Sequence, residues 1–299
     1  MRHRTAGKIT DNLWYLGREE AGVYLLKGKE GSIMINGGLA HILPDVVRQM
    51  SDFGIDPAQI TKILILHSHF DHIGVIPYFK RKWPAIEVYG SGETWRILKI
   101  QKAIDIANQF SKIVADKLGL GAALAGFDYA WRDDISGMTV NDGDRIDLGG
   151  AALNILYTPG HTNCSITAYE PNLKALFASD GGGIPYRESS FASANTNFTQ
   201  YLESLEKMKP LTVEYLCADH YGYVTGEDAR GFIELTIREG RKLRAQMEGI
   251  LREKGNVDEA AKAMTVYFYR ECPDYFIAAD ILEGVFKQMM RFLEKNLQS

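Results

Sequence analysis

The sequence predicts a layered α/β domain followed by a helical extension, and three observations carry that expectation. Short apolar runs of strand length alternate with helical stripes through residues 1–227. Histidine or aspartate stands where four of those runs end. Residues 228–299 show helical spacing throughout, so a boundary at 227/228 is expected between a catalytic domain and a helical tail.

Composition agrees with a soluble globular chain. Its 299 residues are 45% hydrophobic and 24% charged, enough to bury a substantial core without staples. Thirty-four basic against 38 acidic residues give a net charge of −4 with no block of one sign, so no clustered basic surface is expected to grip nucleic acid. No apolar run is long enough for a membrane span, and none follows the basic N-terminus as a secretory signal requires. Cys164, Cys217 and Cys272 form no C-x-x-C pair, which fits a reduced, cytoplasmic setting.

The elements follow in order. Residues 23–26 and 32–35 read as a hairpin turning at Gly28 to Gly31, then 43–53 as helix, 61–66 as a fully buried strand and 86–89 as a short strand. Ile97, Ile100, Ile104, Ala107, Phe110, Val114 and Leu118 recur at helical steps, predicting one long helix from 93 to about 120 within a helical insert of about 93–130. Strands are expected at 138–140, 152–157, 165–169, 175–179 and 213–218. Asn197 followed by Gln200 resembles a capping box for a helix striped by Phe198, Tyr201, Leu202, Leu205 and Met208. In the tail, Ile281, Val285, Met289 and Leu293, flanked by Leu282, Phe286, Met290 and Leu297, give the last helix a wide apolar face.

Directly after the strand at 61–66 comes His67-Ser68-His69-Phe70-Asp71-His72. In extended chain His67 and His69 place both rings on one side, while Asp71 and His72 turn the other way into the following helix, where they can serve a second ion. Imidazole and carboxylate suit zinc, iron or manganese. His161, Asp180 (followed by Gly181-Gly182-Gly183) and His220 each close a further strand. Singly, a capped strand end, an Asx turn or a surface histidine accounts for each equally well. Four strands all ending in ligand-type residues point to one centre. Asp219 reads as a hydrogen-bond partner of a ligand or as solvated.

This order, His-x-His-x-Asp-His and then a lone histidine, a lone aspartate and a final histidine, resembles the metallo-β-lactamase superfamily over residues 10–225. The resemblance implies a four-layer αββα sandwich with the site at one edge between the sheets. It implies that His67, His69 and His161 hold one divalent ion, that Asp71, His72 and His220 hold another, and that Asp180 bridges them, zinc being expected before iron or manganese. A metal-bridging hydroxide would be the nucleophile, with Asp71 as the catalytic residue holding or relaying its proton. Asp180 argues against a β-lactamase proper, and His69 stands where the flavodiiron reductases carry glutamate. Asn36-Gly37-Gly38 replaces the usual Asp-x-Gly turn, and Gly183 stands where quorum-lactone hydrolases have tyrosine. The spacing from His72 to His161, the segment 201–206 and the helical tail resemble the thioesterase subgroup acting on 2-aminobenzoylacetyl-coenzyme A.

The expected reaction is hydrolysis of a thioester or ester on a small acyl substrate. Five of the seven histidines are ligands in this reading, leaving His3 and His41 as acids, and a thiolate departs without a proton more readily than an amine or alkoxide. His41, otherwise a surface loop residue, and Tyr186, Tyr221 or Tyr223 are the alternative donors. A phosphodiesterase or lactone hydrolase on the same metals, or a regulatory binding protein that retains them, are the competing functions. Tyr186, Arg187 and Phe191, in the loop leaving Asp180, are candidates for substrate binding, Arg187 through a carboxylate or phosphate. The insert and the tail are expected to pack on each other, to form a homodimer interface, or to make a lid over an acyl pocket. No nucleic-acid or membrane partner is expected.

Overall fold

The computed structural model describes residues 1–275 and 277–297, apart from the side chain of Leu297. After β1 (Arg2–His3), one sheet forms in chain order from β2 (Gly7–Thr10), β3 (Leu13–Gly17), β4 (Gly22–Gly28), β5 (Gly31–Ile35), β6 (Ile60–Leu64), β7 (Glu87–Ser91) and β8 (Met138–Val140). β2 to β5 pair antiparallel through tight turns, whereas β5 to β8 pair parallel and need crossovers. The crossovers are α1 (Leu43–Asp52), α2 (Ile76–Lys82), and the pair α3 (Gly92–Ile97) and α4 (Gln101–Lys117).

The second half of the chain adds β9 (Arg145–Asp147), β10 (Ala152–Tyr157), β11 (Ile166–Glu170), β12 (Ala175–Phe177), the separate hairpin β13 (Ile184–Tyr186) and β14 (Ser189–Phe191), then α5 (Phe198–Met208), β15 (Tyr215–Cys217) and β16 (Tyr223–Thr225). The second sheet has the order β1-β16-β15-β12-β11-β10-β9, so the N-terminal strand closes its edge. Alternation along the strands then builds three cores. Tyr24 and Leu26 of β4 face Phe177 and Ile155 between the sheets, while Val23 and Leu25 pack outward under α1 and α2. Leu176, Leu216 and Val224 turn the other face of the second sheet towards α5 and the tail. Helix, sheet, sheet and helix are the four layers.

The tail comprises α6 (Glu227–Arg230), α7 (Phe232–Lys254), α8 (Val257–Glu271) and α9 (Ala279–Leu297). Gly255, at φ +68°, ends α7 in the left-handed conformation, and the Asn256 side chain caps α8 by accepting from Glu259 N–H, so Gly-Asn turns the chain back on itself. Leu282, Phe286, Met289, Met290 and Leu293 of α9 are fully buried in the same cluster as α5 and the second sheet. Among the described residues, no helix is long and apolar enough to cross a membrane.

Several sequence-based expectations need correction. The helix expected from 93 to 120 is broken at Leu98 to Ile100, where Ile100 is extended. Leu98 and Trp95 turn into the core and Trp131 donates its indole N–H to Leu98 O, so tertiary packing overrides a continuous apolar stripe. The strand at 61–66 is Ile60–Leu64, after which Leu66 O accepts from Ile166 N–H of the other sheet. Asp71 and His72 lie in a short 3-10 turn, Phe70–His72, rather than in a helix. Strands β1, β2, β9, β13, β14 and β16 carry too few residues or too mixed a pattern to be read from the sequence, whereas β3, Leu-Trp-Tyr-Leu-Gly, is an apolar run that the expected elements did not include.

Because the tail shares one core with the second sheet, Phe286→Ala is expected to cost about 3–5 kcal/mol. Calorimetry should show a single transition moved to lower temperature, not the separate early melting of a detached tail.

Candidate metal centre

Four strand ends of both sheets meet at one point. β10 and β12 run the same way because each is antiparallel to β11, and β12 and β15 pair parallel. Their C-terminal ends therefore deliver His161, Asp180 and His220 together, opposite the segment after β6 that carries His67, His69, Asp71 and His72. Local geometry requires glycine beside His161. Gly160 has φ +129°, and a Cβ there would lie 2.2 Å from Tyr201 N.

The side chains converge as overlapping triads: His67, His69 and His161; His67, His72 and Asp180; and Asp71, His72 and His220. His69 Nδ1 lies 3.1 Å from His67 Nε2 and 3.0 Å from His161 Nε2. A tetrahedral ion with bonds of about 2.0–2.1 Å sets its ligands roughly 3.3 Å apart, close to this spacing. Asp71 Oδ2 is 3.6 Å from His72 Nε2 and 3.5 Å from His220 Nε2. Asp180 spans both groups: Oδ2 is 3.4 Å from His161 Nε2 and 3.5 Å from His72 Nε2, and Oδ1 is 3.6 Å from His220 Nε2. His72 Nε2 and Asp180 Oδ1 are buried at the middle of this ring without a hydrogen-bond partner. Two acceptor atoms left in that state fit a cation between them.

The far side of four of the five imidazoles explains why their lone pairs point inward. His161 Nδ1 donates to Ser193 O at 2.7 Å, and His220 Nδ1 donates to Glu20 O at 2.6 Å. His72 Nδ1 lies 3.0 Å from Asp219 Oδ2, and His67 Nδ1 lies 3.2 Å from Ser179 Oγ. Fixing the outer nitrogen selects the tautomer whose inner nitrogen can bind metal. Asp219 is 1% exposed and also accepts from Asn36 Nδ2 and Ser179 Oγ, so it is a buried orienting group and not a solvated one. Asn36 and Ser179 hold this network at φ +60° and +48°, a conformation that non-glycine residues adopt at a cost.

Electrostatics divides the ring. Burial, aided by neighbouring imidazoles, pushes His67 down and His69 down to about 3, and burial also lowers His161. Burial opposes ionisation of Asp71 and Asp180, yet His72, with His220, holds both carboxyls below their usual range. Burial likewise opposes charge on His72 and His220, but Asp71 and Asp180 raise both. One side thus offers neutral nitrogens, while the other pairs protonated imidazoles with two carboxylates, so an ion entering there would displace the protons of His72 and His220.

The other candidates are placed differently. Tyr186 OH donates to Asp274, Arg187 donates to the same carboxylate at 2.8 Å and lies over the Tyr186 ring, and Phe191 packs on Phe268, Tyr275 and Phe286. The tail therefore supplies the partners of all three. Tyr186 also meets Tyr221 and Tyr275, a residue that no sequence signal singled out. Tyr223 stacks on His3. His41 is buried, not a surface residue, and lies 3.1 Å from the carboxylate of Glu20, the residue whose carbonyl holds His220. Asn36 and Ser179 also orient the ring, and the unusual Asn-Gly-Gly at the end of β5 is the one sequence feature that marks Asn36.

A four-layer sandwich with a histidine–aspartate ring between its sheets defines a class of metal-binding proteins. Residues 17–220 match the sequence profile of the metallo-beta-lactamase superfamily, and the chain belongs to that superfamily. It is 23% identical over 209 residues to the metallo-beta-lactamase fold-containing protein ST1585 of Sulfurisphaera tokodaii, covering 69% of this chain and 75% of that protein. It is 28% identical over 182 residues to a hydroxyacylglutathione hydrolase of Thermosynechococcus vestitus, covering 59% of this chain and about half, 54%, of the hydrolase. The crystal structure of a metallo-beta-lactamase family protein from Thermus thermophilus, TTHA1429, shares the fold, with a TM-score of 0.68 over 97% of this chain and 95% of that one at 16% identity. Membership implies divalent metal binding, and the donor set described above fits it.

Asp219→Asn keeps the shape of the network but removes the anionic acceptor of His72. Metal affinity is expected to fall about 10–100-fold, measured by competition with a chromophoric chelator; an unchanged affinity would exclude Asp219 as an orienting group.

Proposed function

We propose that this chain is a binuclear metal-dependent hydrolase acting on a thioester or ester. The observation that carries the reading is the convergence of seven donor side chains as overlapping triads, with Asp180 reaching both sides. His67, His69 and His161 would hold one ion, Asp71, His72 and His220 the other, and Asp180 would bridge them. Zinc suits this donor set, and iron or manganese share it. Such ions supply Lewis acidity and an ionised water at neutral pH.

The chain's own groups then divide the work. Five of the seven ring residues are buried, and the low polarizability around them strengthens the charge interactions inside the ring. Asp71, at 14% side-chain exposure, faces the accessible edge and is placed to hold the proton of the nucleophile. Neither histidine outside the ring is turned towards it: His41 bonds Glu20, and His3 stacks on Tyr223 with Nε2 3.0 Å from Thr225 Oγ1. With no histidine placed to protonate a leaving group, a thiolate is favoured over an amine or alkoxide. Hydroxyacylglutathione is itself a thioester, so the name of the Thermosynechococcus relative supports the same bond type. The thioesterase subgroup resembled by the His72–His161 spacing and the tail points the same way.

The test is a panel of acyl-coenzyme A and acyl-glutathione thioesters, a lactone, a phosphodiester and a β-lactam, offered to the metal-loaded protein. Thioester turnover should dominate, disappear with a chelator and return on adding metal. Dominant phosphodiester or β-lactam turnover would overturn the reading. Asp180→Ala should leave fewer than two ions per chain by elemental analysis and lower kcat at least a hundredfold. Two ions retained in that variant would sink the bridging assignment.

A further inference from the structure

Of the seven ring residues, His69 and Asp71 are the two that are partly exposed, so a substrate reaches the centre across that edge. Phe70 stands between them and is itself half-buried. Its ring stacks on Phe110 of α4, with centroids 5.3 Å apart and planes inclined by 27°. The edge of the centre therefore continues into a helix that the crossover from β7 to β8 brings alongside.

α4 is apolar over a wider sector than its packing requires. Ile104, Ser111 and Ala115 are buried against the sheet layer, and Asn108 is tied to the Trp131 backbone on that side. At 3.6 residues per turn, Ala103, Ile106, Phe110 and Ile113 form a second apolar strip turned well away from that face. Ile106 remains 43% exposed, and Phe110 and Ile113 are half-buried. The following turn of the strip carries Lys117, 3.7 Å from Asp280 at the start of α9, so the tail meets α4 at the far end. A helix serving only to cover the sheet needs one stripe.

We infer that this outward strip of α4, led by Phe110 and Ile106 and continued by Phe70 to the His69–Asp71 edge, is the surface that binds the acyl half of the substrate. The inference rests on the thioester or ester reading above and narrows it to aliphatic or aryl acyl groups of medium length. Thiol carriers are polar, so an apolar surface running up to the reacting edge suits the acyl side of the bond and not the carrier. From Ile106 to Ile113 the strip extends about 10 Å along the axis at 1.5 Å per residue, which sets the length of acyl chain it can cover.

The experiment measures kcat/KM of the metal-loaded protein for a series of N-acetylcysteamine thioesters running from acetyl to decanoyl, with phenylacetyl added. Octanoyl and phenylacetyl should exceed acetyl by tenfold or more, and Phe110→Ala should reduce that ratio about tenfold. Ile106→Glu, at an exposed position that does not disturb the core, should do the same, whereas Leu118→Ala, exposed but outside the strip, should not. A flat acyl profile with normal thioester turnover, or a Phe110→Ala loss equal for every acyl group, overturns this inference and leaves the thioesterase reading standing. Calorimetric binding of octanoate against acetate gives a readout independent of turnover. A preference for octanoate that Phe110→Ala abolishes supports the surface even where no thioester is hydrolysed, and that result would sink the proposed reaction alone. Equal binding of the two acids would sink the surface.

Discussion

A single buried carboxylate organises the centre. Asp219 lies beneath the ring, is 1% exposed, and accepts from His72, Asn36 and Ser179. Those four residues come from the segments that follow β5, β6, β12 and β15, strands that belong to both sheets. An anion taken out of water needs such partners, and each partner in turn needs the anion. The sheets are thus held in register at the place where the histidine–aspartate ring assembles.

Cost is concentrated around that point. Among the described residues, those other than glycine with positive φ are Asn36, Lys174, Ser179, Arg187 and Tyr221. Asn36 and Ser179 orient the ring histidines, and Tyr221 directly follows His220. Strain of this kind persists only where surrounding contacts over-determine the backbone. Here Asn36 Oδ1 accepts from Leu66 N–H at 2.8 Å while its amide serves Ser179 and Asp219, so several bonds hold one unfavourable residue. The same rigidity fixes the histidine tautomers, since Ser193 O and Glu20 O are backbone acceptors that cannot turn away.

The helical additions divide between stability and access. The tail buries α9 in a core shared with α5 and the second sheet, and it provides Asp274 to hold Tyr186 and Arg187. Arg187 thereby finds its carboxylate within the chain. The insert instead packs α4 beside the Phe70–His72 turn, next to the two partly exposed members of the ring. Covering a sheet and bordering a site are different demands, and the two apolar strips of α4 meet them separately.

Much of this was legible in the sequence because it is local. His67 to His72 lie within six residues, strand and helix periods show in short windows, and His161, Asp180 and His220 each close an apolar run. Spacing by itself therefore determined the family resemblance, the four layers it implied and the seven ring residues. Tertiary structure decided the rest. The break at Leu98 to Ile100 follows from Trp95 and Trp131, the burial of His41 from Glu20, and the roles of Asn36, Ser179 and Asp219 from strand ends more than a hundred residues apart. None of these follows from periodicity, because a hydrogen bond between distant residues exists only once the sheets have closed on each other.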